Sequence, residues 1–581
     1  MTSFLADLSA PLILACFYLV VIFWFFRTAK AALFYLYLWQ LKEYHIGRFL
    51  DHFRTAQGEK LLVNRVSVAK IFILLALIFS LWVATVDFEI LDFTAIFLLF
   101  VSVVPLLALT VLYGMEALRL RGSRRPIFTK KVILLFAIVF FGELLSILFV
   151  HRLSVFVYMA TGWNLFASIF FFPVGLLVID LFMPIFVSAV VLAFQPFAVL
   201  ARNRIIRQAK ERRQEFKSLK VIGITGSYGK TSTKEFLAHI LGQKYHVLKT
   251  PEHQNSEVGI SNTILQSLTS KHEIFVCEMG AYNKGGIKLL AQIVKPRIAI
   301  VTGVNEQHLA TFGSMENLLS AEGGEELLNI LPADGVAILN GNNTFAYGLY
   351  EETSMVRKIL CLVIPARAGI MRQPDVWAEN VRTEQEHVAF TVFLRDGEKA
   401  DLKVNLVGGH NVENVLLAIA AARELGISLQ EIARSCGSIT QELGAMKLRK
   451  GINGLNIIDS TYSANPDGVI AALEYLKVWE GKRIIVMPCL IELGPASKHA
   501  HRRIGEKIGE VCDLAIITTR DKFETIKEGA MTRGMKGDDV LSMENPQAIF
   551  GKIKSFCNEG DVVLLEGRVS SDLLHLLGRV R

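Results

Sequence analysis

Apolar positions follow two regimes along this chain. Ahead of residue 200 they form nearly unbroken runs at 8–26, 71–86, 91–112 and 132–150, each close to the ~20 residues that cross a bilayer as a helix. No basic segment precedes the first run and further runs follow it, so it reads as a span and not as a cleaved leader. Residues 153–200 are also apolar but are interrupted by "TGWN", Pro173, Pro184 and Pro196. From residue 221 the pattern changes. Short β-branched runs alternate with amphipathic helical stretches, as in a parallel sheet covered by helices.

The predicted strands include "VIGIT", "EIFVCEMG", "RIAIVTGV" and "GVAILNG", each running into glycine or polar residues. In an open α/β sheet that carboxyl edge is where ligands bind. Residues 376–407 lack helical periodicity and fit an antiparallel insert, followed by the helical "GGHNVENVLLAIAAAREL". A second α/β unit starts near residue 455 with "LNIID" and continues through "RIIVMP", "LAIITT" and "DVVLLEG". The fold class expected is an α-helical membrane domain followed by two α/β domains: 1–200 membrane, 201–219 a basic cytoplasmic linker, 220–440 the first α/β domain and 441–581 the second.

Composition adds the compartment. Apolar residues make up 52% of the 581, and the net charge is +8. The basic residues cluster at 27–70, 119–131 and 202–220, beside the apolar runs. The positive-inside rule accounts for them, so nucleic acid is not an expected partner. With all three basic segments in the cytoplasm, parity favours five crossings with the N-terminus outside and part of 153–173 interfacial or re-entrant, although six segments can be drawn. Glu143 and Asp180 are the chief charges inside the runs, read either as a polar pathway or as a paired structural contact. Seven scattered cysteines without a C-x-x-C pair argue against a disulfide framework and a zinc site.

"TGSYGKTST" carries the first chemistry. A phosphate cradle needs consecutive backbone N–H groups, glycines that let the chain approach oxygen, and a helix N-terminus. Gly226, Ser227, Gly229, Lys230, Thr231 and Ser232 supply these between a strand and a helix, although Ile224 breaks the common G-x-x-x-x-G-K-[ST] spacing.

Further motifs follow in one order: "NSEVGISNTIL", "EIFVCEMG", "VTGVNEQHLATFGS", "GVAILNGNN", "GGHNVENV", "IIDSTYSANPDG" and "IELGPASKHAHRRIGE". The ordered set, from Val221 onward, resembles the Mur ligases, and among them the branch that attaches D-alanyl-D-alanine to a muramoyl tripeptide. The resemblance implies a P-loop central ATPase domain and a Rossmann-like C-terminal domain. It also implies an ATP- and Mg2+-dependent joining of a carboxylate to an amine through an acyl phosphate. It assigns Lys230 to the β and γ phosphates, and Thr231, Glu278 and His308 to the metal sites. Asn340 and Asn411 border the nucleotide, and Asp459 and Asn465 reach it from the C-terminal domain. Domain closure would complete the site and keep water from the acyl phosphate.

Several positions depart from the family pattern. Tyr228 stands where asparagine is usual. Glu322 falls where a carbamylated lysine is expected, and reads either as a built-in carboxylate for a second metal or as part of a solvated helix face. Ala445, Pro488, Cys489 and Glu566 replace acceptor-side residues, and Glu566 replaces a lysine. A membrane unit also stands where the family has its uridine-nucleotide domain.

The expected partners are therefore a small-molecule or lipid-linked envelope precursor, an amino acid or dipeptide amine, membrane lipid, and envelope-synthesis proteins. Two alternatives stay open: a poly-γ-glutamate-synthase-like membrane ligase, and a non-catalytic ATP-binding scaffold.

Overall fold

The computed structural model describes residues 2–42, 44, 46–53, 58, 59, 61, 64–85, 93–118, 125–161, 165–354, 356–364, 372–461 and 464–578. Parts of the 27–70 and 119–131 basic segments, most of "TGWN", and Tyr462 and Ser463 of "IIDSTYSANP" lie outside them. The chain divides into two units, 1–200 and 201–581.

The first unit is helical: Thr2–Leu41, Ile46–Phe53, Arg65–Thr85, Phe93–Leu118, Lys130–Thr161, Leu165–Ala193 and the start of Gln195–Gln214. Among the described residues, four stretches are long and apolar enough to cross a membrane: Leu14–Leu41, Arg65–Val83, Lys130–Ala160 and Phe171–Gln214. Val103–Leu118 is a shorter apolar helix, and five crossings would need it as well. The stretch expected to be interfacial is helical on both sides of residues 162–164, and Pro173 and Pro184 lie inside a continuous helix. Asp180 pairs with Arg27 and with Lys70 (3.0 Å), and Lys70 also pairs with Glu116 (2.6 Å). Glu143 accepts a bond from the Thr28 hydroxyl at 3.4 Å. Both acids that lie in the apolar runs are thus partnered among the buried helices, where an unpaired charge would be costly.

In the second unit, nine strands among the described residues form one sheet. They are β1 (Lys220–Thr225), β2 (Val247–Lys249), β3 (Ile274–Glu278), β4 (Ile298–Val301), β5 (Val336–Asn340), β6 (Arg357–Val363), β7 (Val376–Thr383), β8 (Val388–Leu394) and β9 (Lys399–Val404). Their order is β2-β3-β1-β4-β5-β6-β7-β8-β9, parallel as far as β7 and antiparallel beyond. The strand-rich 376–407 segment is therefore continuous with the main sheet through the β6–β7 pairing. β1, β3, β4 and β5 are buried on both faces, so they read as apolar runs and not as alternating patterns. β1 lies between β3 and β4, and the chain passes to opposite sides of it, which opens a crevice at the carboxyl ends of these three strands.

Residues 201–214, expected as a linker, are helical. Ile206 and Ala209 pack into the core beneath the sheet, and the Arg213 side chain donates to Val294 O (2.9 Å), Phe216 O (2.7 Å) and Leu219 O (3.1 Å).

The C-terminal sheet holds β10 (Lys447–Lys450), β11 (Asn456–Ser460), β12 (Arg483–Met487), β13 (Leu514–Ile517), β14 (Val540–Ser542) and β15 (Val562–Glu566). Their order is β10-β11-β15-β12-β13-β14, with β10 alone among them antiparallel to its neighbour.

Candidate active site

The site grows from the carboxyl edge of the first sheet. β1 ends at Thr225, and the chain turns through Gly226 (φ 140°) and Gly229 (φ 77°), backbone states that side chains resist. A Cβ at Gly226 would collide with the Thr302 hydroxyl, and one at Gly229 would lie 2.5 Å from Asn414 Oδ1. The helix Lys230–Leu241 starts at this turn with no side chain capping its first N–H groups. Those donors and the positive end of the helix dipole form an anion cradle. Lys230 Nζ bonds to Gly226 O and lies 3.9 Å from Glu322 Oε1.

Two clusters flank the loop. In the first, the Thr231 hydroxyl lies 3.1 Å from each oxygen of Glu278, the last residue of β3. Asn255 donates to Glu278 at 3.0 Å, and the fully buried Lys234 pairs with it at 3.2 Å. In the second, Glu322 accepts from the Ser227 hydroxyl at 3.0 Å and meets His308 Nδ1 at 3.2 Å. Glu322 is 1% exposed, so it is not part of a solvated helix face. Burial alone would push its carboxyl up, but Lys230, His308 and Ser227 together hold it below the ordinary value. His308 itself has φ 68° and packs edge-on to Tyr282.

Asn340, at the end of β5, donates to Thr302 O and to Glu413, both at 2.7 Å. Asn411 turns inward and bonds to Val407 O at 2.8 Å; from the same helix it is Asn414 that meets the loop, accepting from Thr233 at 3.2 Å. Ser232 is buried in the first turn of the loop helix. Tyr228 fits locally: its ring fills the space a Cβ at Gly303 would need, and its hydroxyl accepts from Asn343 at 3.2 Å.

The C-terminal domain reaches the same edge. Asn465 caps the helix Pro466–Leu476 and accepts from Asn305 Nδ2 at 2.7 Å. Asp459, at the end of β11, pairs with Arg449 (3.2 Å) and Thr461 (2.7 Å), both in its own domain. Glu566, at the end of β15, is 2% exposed with Oε2 unpartnered, and burial pushes its carboxyl up to about 8. Among the other departures, the Cys489 N–H donates to Thr519 Oγ1 at 2.8 Å. Nothing in the structure explains Ala445.

Asn255, Glu413 and Asn414 belong to motifs visible in the sequence, and Lys234 directly follows the phosphate loop, but nothing in the linear pattern distinguished them from their neighbours.

The donor set suits a magnesium–nucleotide complex. Two colliding-Cβ glycines and uncapped N–H groups make a phosphate cradle, and the oxygens of Thr231 and Glu278 beside it are hard ligands. His308 and Glu322 offer a second nitrogen–oxygen pair.

A phosphate cradle at the switch point of a parallel sheet, gripped by a second α/β domain, defines a nucleotide-dependent two-domain enzyme. Residues 224–422 match the Mur ligase middle domain, and residues 446–569 match the Mur ligase glutamate ligase domain. The chain is 30% identical over 349 residues to the UDP-N-acetylmuramoyl-tripeptide--D-alanyl-D-alanine ligase of Bacillus subtilis, which covers 60% of this chain and 72% of that protein. It is 30% identical over 380 residues to the enzyme of the same name from Mycobacterium leprae, covering 61% and 72%. The MurF structure from Acinetobacter baumannii superposes with a TM-score of 0.56 at 25% identity, over 64% of this chain and 80% of that one. MurF from Thermotoga maritima in complex with ADP shares the fold at 24% identity and a TM-score of 0.55, over 64% and 83%. The chain belongs to the Mur ligase family and is an ATP-dependent ligase that uses magnesium.

Proposed function

We propose that this ligase is held at the cytoplasmic face of a membrane by its N-terminal helices and joins the carboxylate of a cell-envelope precursor to an incoming amine. The observation that carries this reading is the convergence of Lys230, Thr231–Glu278 and Ser227–Glu322–His308 on one sheet edge, with Asn465 of the C-terminal domain bonded to the same edge.

The chemistry asks for few groups. A carboxylate oxygen of the acceptor must reach the γ-phosphorus of ATP, forming a P–O bond as the bond to ADP breaks. The amine then attacks the acyl carbon, inorganic phosphate leaves, and the nitrogen gives up a proton. Both steps bring anions together, so cations and oriented N–H donors are the main requirement. Lys230 and the loop N–H groups hold the phosphates. Thr231 and Glu278 would hold one magnesium, and His308 with Glu322 a second. When bound, these ions neutralise developing charge. A genetically encoded carboxylate at 322 would let the second site form without carbamylation.

The precursor class follows the relatives named above, whose names specify a muramoyl tripeptide and D-alanyl-D-alanine. A lipid-linked acceptor is supported by the four membrane-length helices ahead of the ligase region. The test is ATP-dependent phosphate release by the full chain in lipid nanodiscs, with mass spectrometry of the product. A soluble UDP-muramoyl peptide and its lipid-linked counterpart are offered separately, each with candidate amines. Turnover favouring the lipid-linked acceptor supports the proposal; equal use of both removes the lipid argument, and no product with either rejects the precursor class.

A further inference from the structure

The loop after β4, residues 302–308, is where the two α/β domains meet the phosphate site. On one side it supports the cradle: Ser227 N donates to Gly303 O at 2.7 Å, and the Thr302 hydroxyl bonds to Tyr228 O. On the other it is gripped twice by the C-terminal domain. Asn305 bonds to Asn465, and just past the loop Ala310 N donates to Glu492 O at 3.0 Å. The Glu492 carboxylate then stands 4.0 Å from His308 Nε2, while Glu322 occupies the Nδ1 side of the same ring.

The backbone marks this pair as over-determined. His308 (φ 68°) and Glu492 (φ 67°) are both left-handed without being glycine, and they face each other across the domain boundary. Such conformations persist where the surroundings hold them, and they gather at functional sites. Gly494, two residues after Glu492, is also left-handed (φ 53°), and a Cβ there would come within 3.3 Å of Ala310 backbone atoms. The "IELG" turn is therefore shaped to the His308 turn. The carbonyl contact fixes position, and the carboxylate brings a charge to the His308 ring from the other domain.

We propose that Glu492 is a positioning residue that couples closure of the C-terminal domain to the orientation of His308, so that this domain completes the phosphate site only on arrival. The role rests on the ligase reading above, but domain closure can be measured without knowing the acceptor. At 4.0 Å the contact lies beyond hydrogen-bond range, so it depends on the charge of the carboxylate and the neutral isostere should behave like truncation.

The experiment uses the full chain in nanodiscs with fluorophores on the middle and C-terminal domains, titrated with magnesium–ADP and magnesium–ATP. In the wild type, nucleotide should raise the closed fraction. Glu492→Gln and Glu492→Ala should each cut the closed-to-open ratio at least fivefold while nucleotide Kd moves less than twofold; Glu492→Asp should recover part of the closure. Glu492→Gln should add nothing to the closure defect of His308→Ala, the non-additivity that marks a direct pair. In turnover, Glu492→Gln should lower kcat about tenfold with the KM for ATP nearly unchanged.

Wild-type closure in Glu492→Gln, additive defects in the double variant, or no nucleotide-driven closure in the wild type would each overturn the proposal. Closure that responds as expected without product from any acceptor would count against the substrate reading and not against Glu492.

Discussion

The Thr231 hydroxyl sits 3.1 Å from both carboxylate oxygens of Glu278, although the two residues are 47 positions apart. Their meeting depends on the parallel pairing of β1 with β3, which sets Ile224 opposite Glu278 and brings the strand end level with the loop. Thr231→Val keeps the side-chain shape and removes the oxygen. The KM for magnesium–ATP should rise at least tenfold, about 1.4 kcal/mol, with an unchanged circular dichroism spectrum; an unchanged KM would separate this pair from nucleotide binding.

Lys230 is the cation nearest the cradle, held by Gly226 O. Lys230→Ala should lower ATP turnover by a factor of about 10²–10³, some 3–4 kcal/mol of transition-state stabilisation, with an unchanged circular dichroism spectrum. Phosphate release at the wild-type rate would refute the site.

Glu322 has a folded-state pKa below the ordinary 4.5, because Lys230, His308 and Ser227 outweigh the effect of burial. Its stabilising contribution is therefore present above about 4.5 and lost as pH falls through the lowered value. Glu322→Gln should melt below the wild type at pH 6, and the gap should close toward pH 3, as thermal denaturation at both values would report. A gap that stays constant with pH would mean that the Glu322 charge contributes nothing.

Glu566 gives the opposite sign. Its folded-state carboxyl titrates at about 8 against an ordinary 4.5, so folding retains a proton that the unfolded chain releases. Stability should fall as pH rises between those values and level off above them. Glu566→Gln should remove that slope and stabilise the protein by about 2–4 kcal/mol at pH 8.5 relative to wild type. Parallel melting curves from pH 5 to pH 8.5 would contradict this.

Asn465 serves both as helix cap and as bond to Asn305. Asn465→Ala should cost about 1–2 kcal/mol and raise the KM for ATP. An unchanged KM for ATP would reduce its role to capping.

Much of the sheet was legible. β1, β3, β4, β5, β11, β12, β13 and β15 are buried or nearly so along their length, and their apolar runs stand out for that reason. β2, β10 and β14 were not. They are three or four residues long with mixed burial, too short for periodicity to register. The glycine loop and its lysine could be read because local backbone geometry demands those residue types in sequence. Asn255, Asn414 and Glu492 could not, because each acts on a partner far along the chain: Glu278, Thr233 and His308.

By itself the sequence determined the alternation of strands and helices, the phosphate loop and the apolar helices ahead of it, since these follow from local sterics and from which positions avoid water. Tertiary structure decided that Glu322 is a buried partner of His308 and Ser227, that Asn411 turns inward while Asn414 meets the loop, and that Glu492 reaches His308 from another domain. Burial and charge pairing depend on which distant elements share a sheet edge, and strand order, not the linear pattern, sets that.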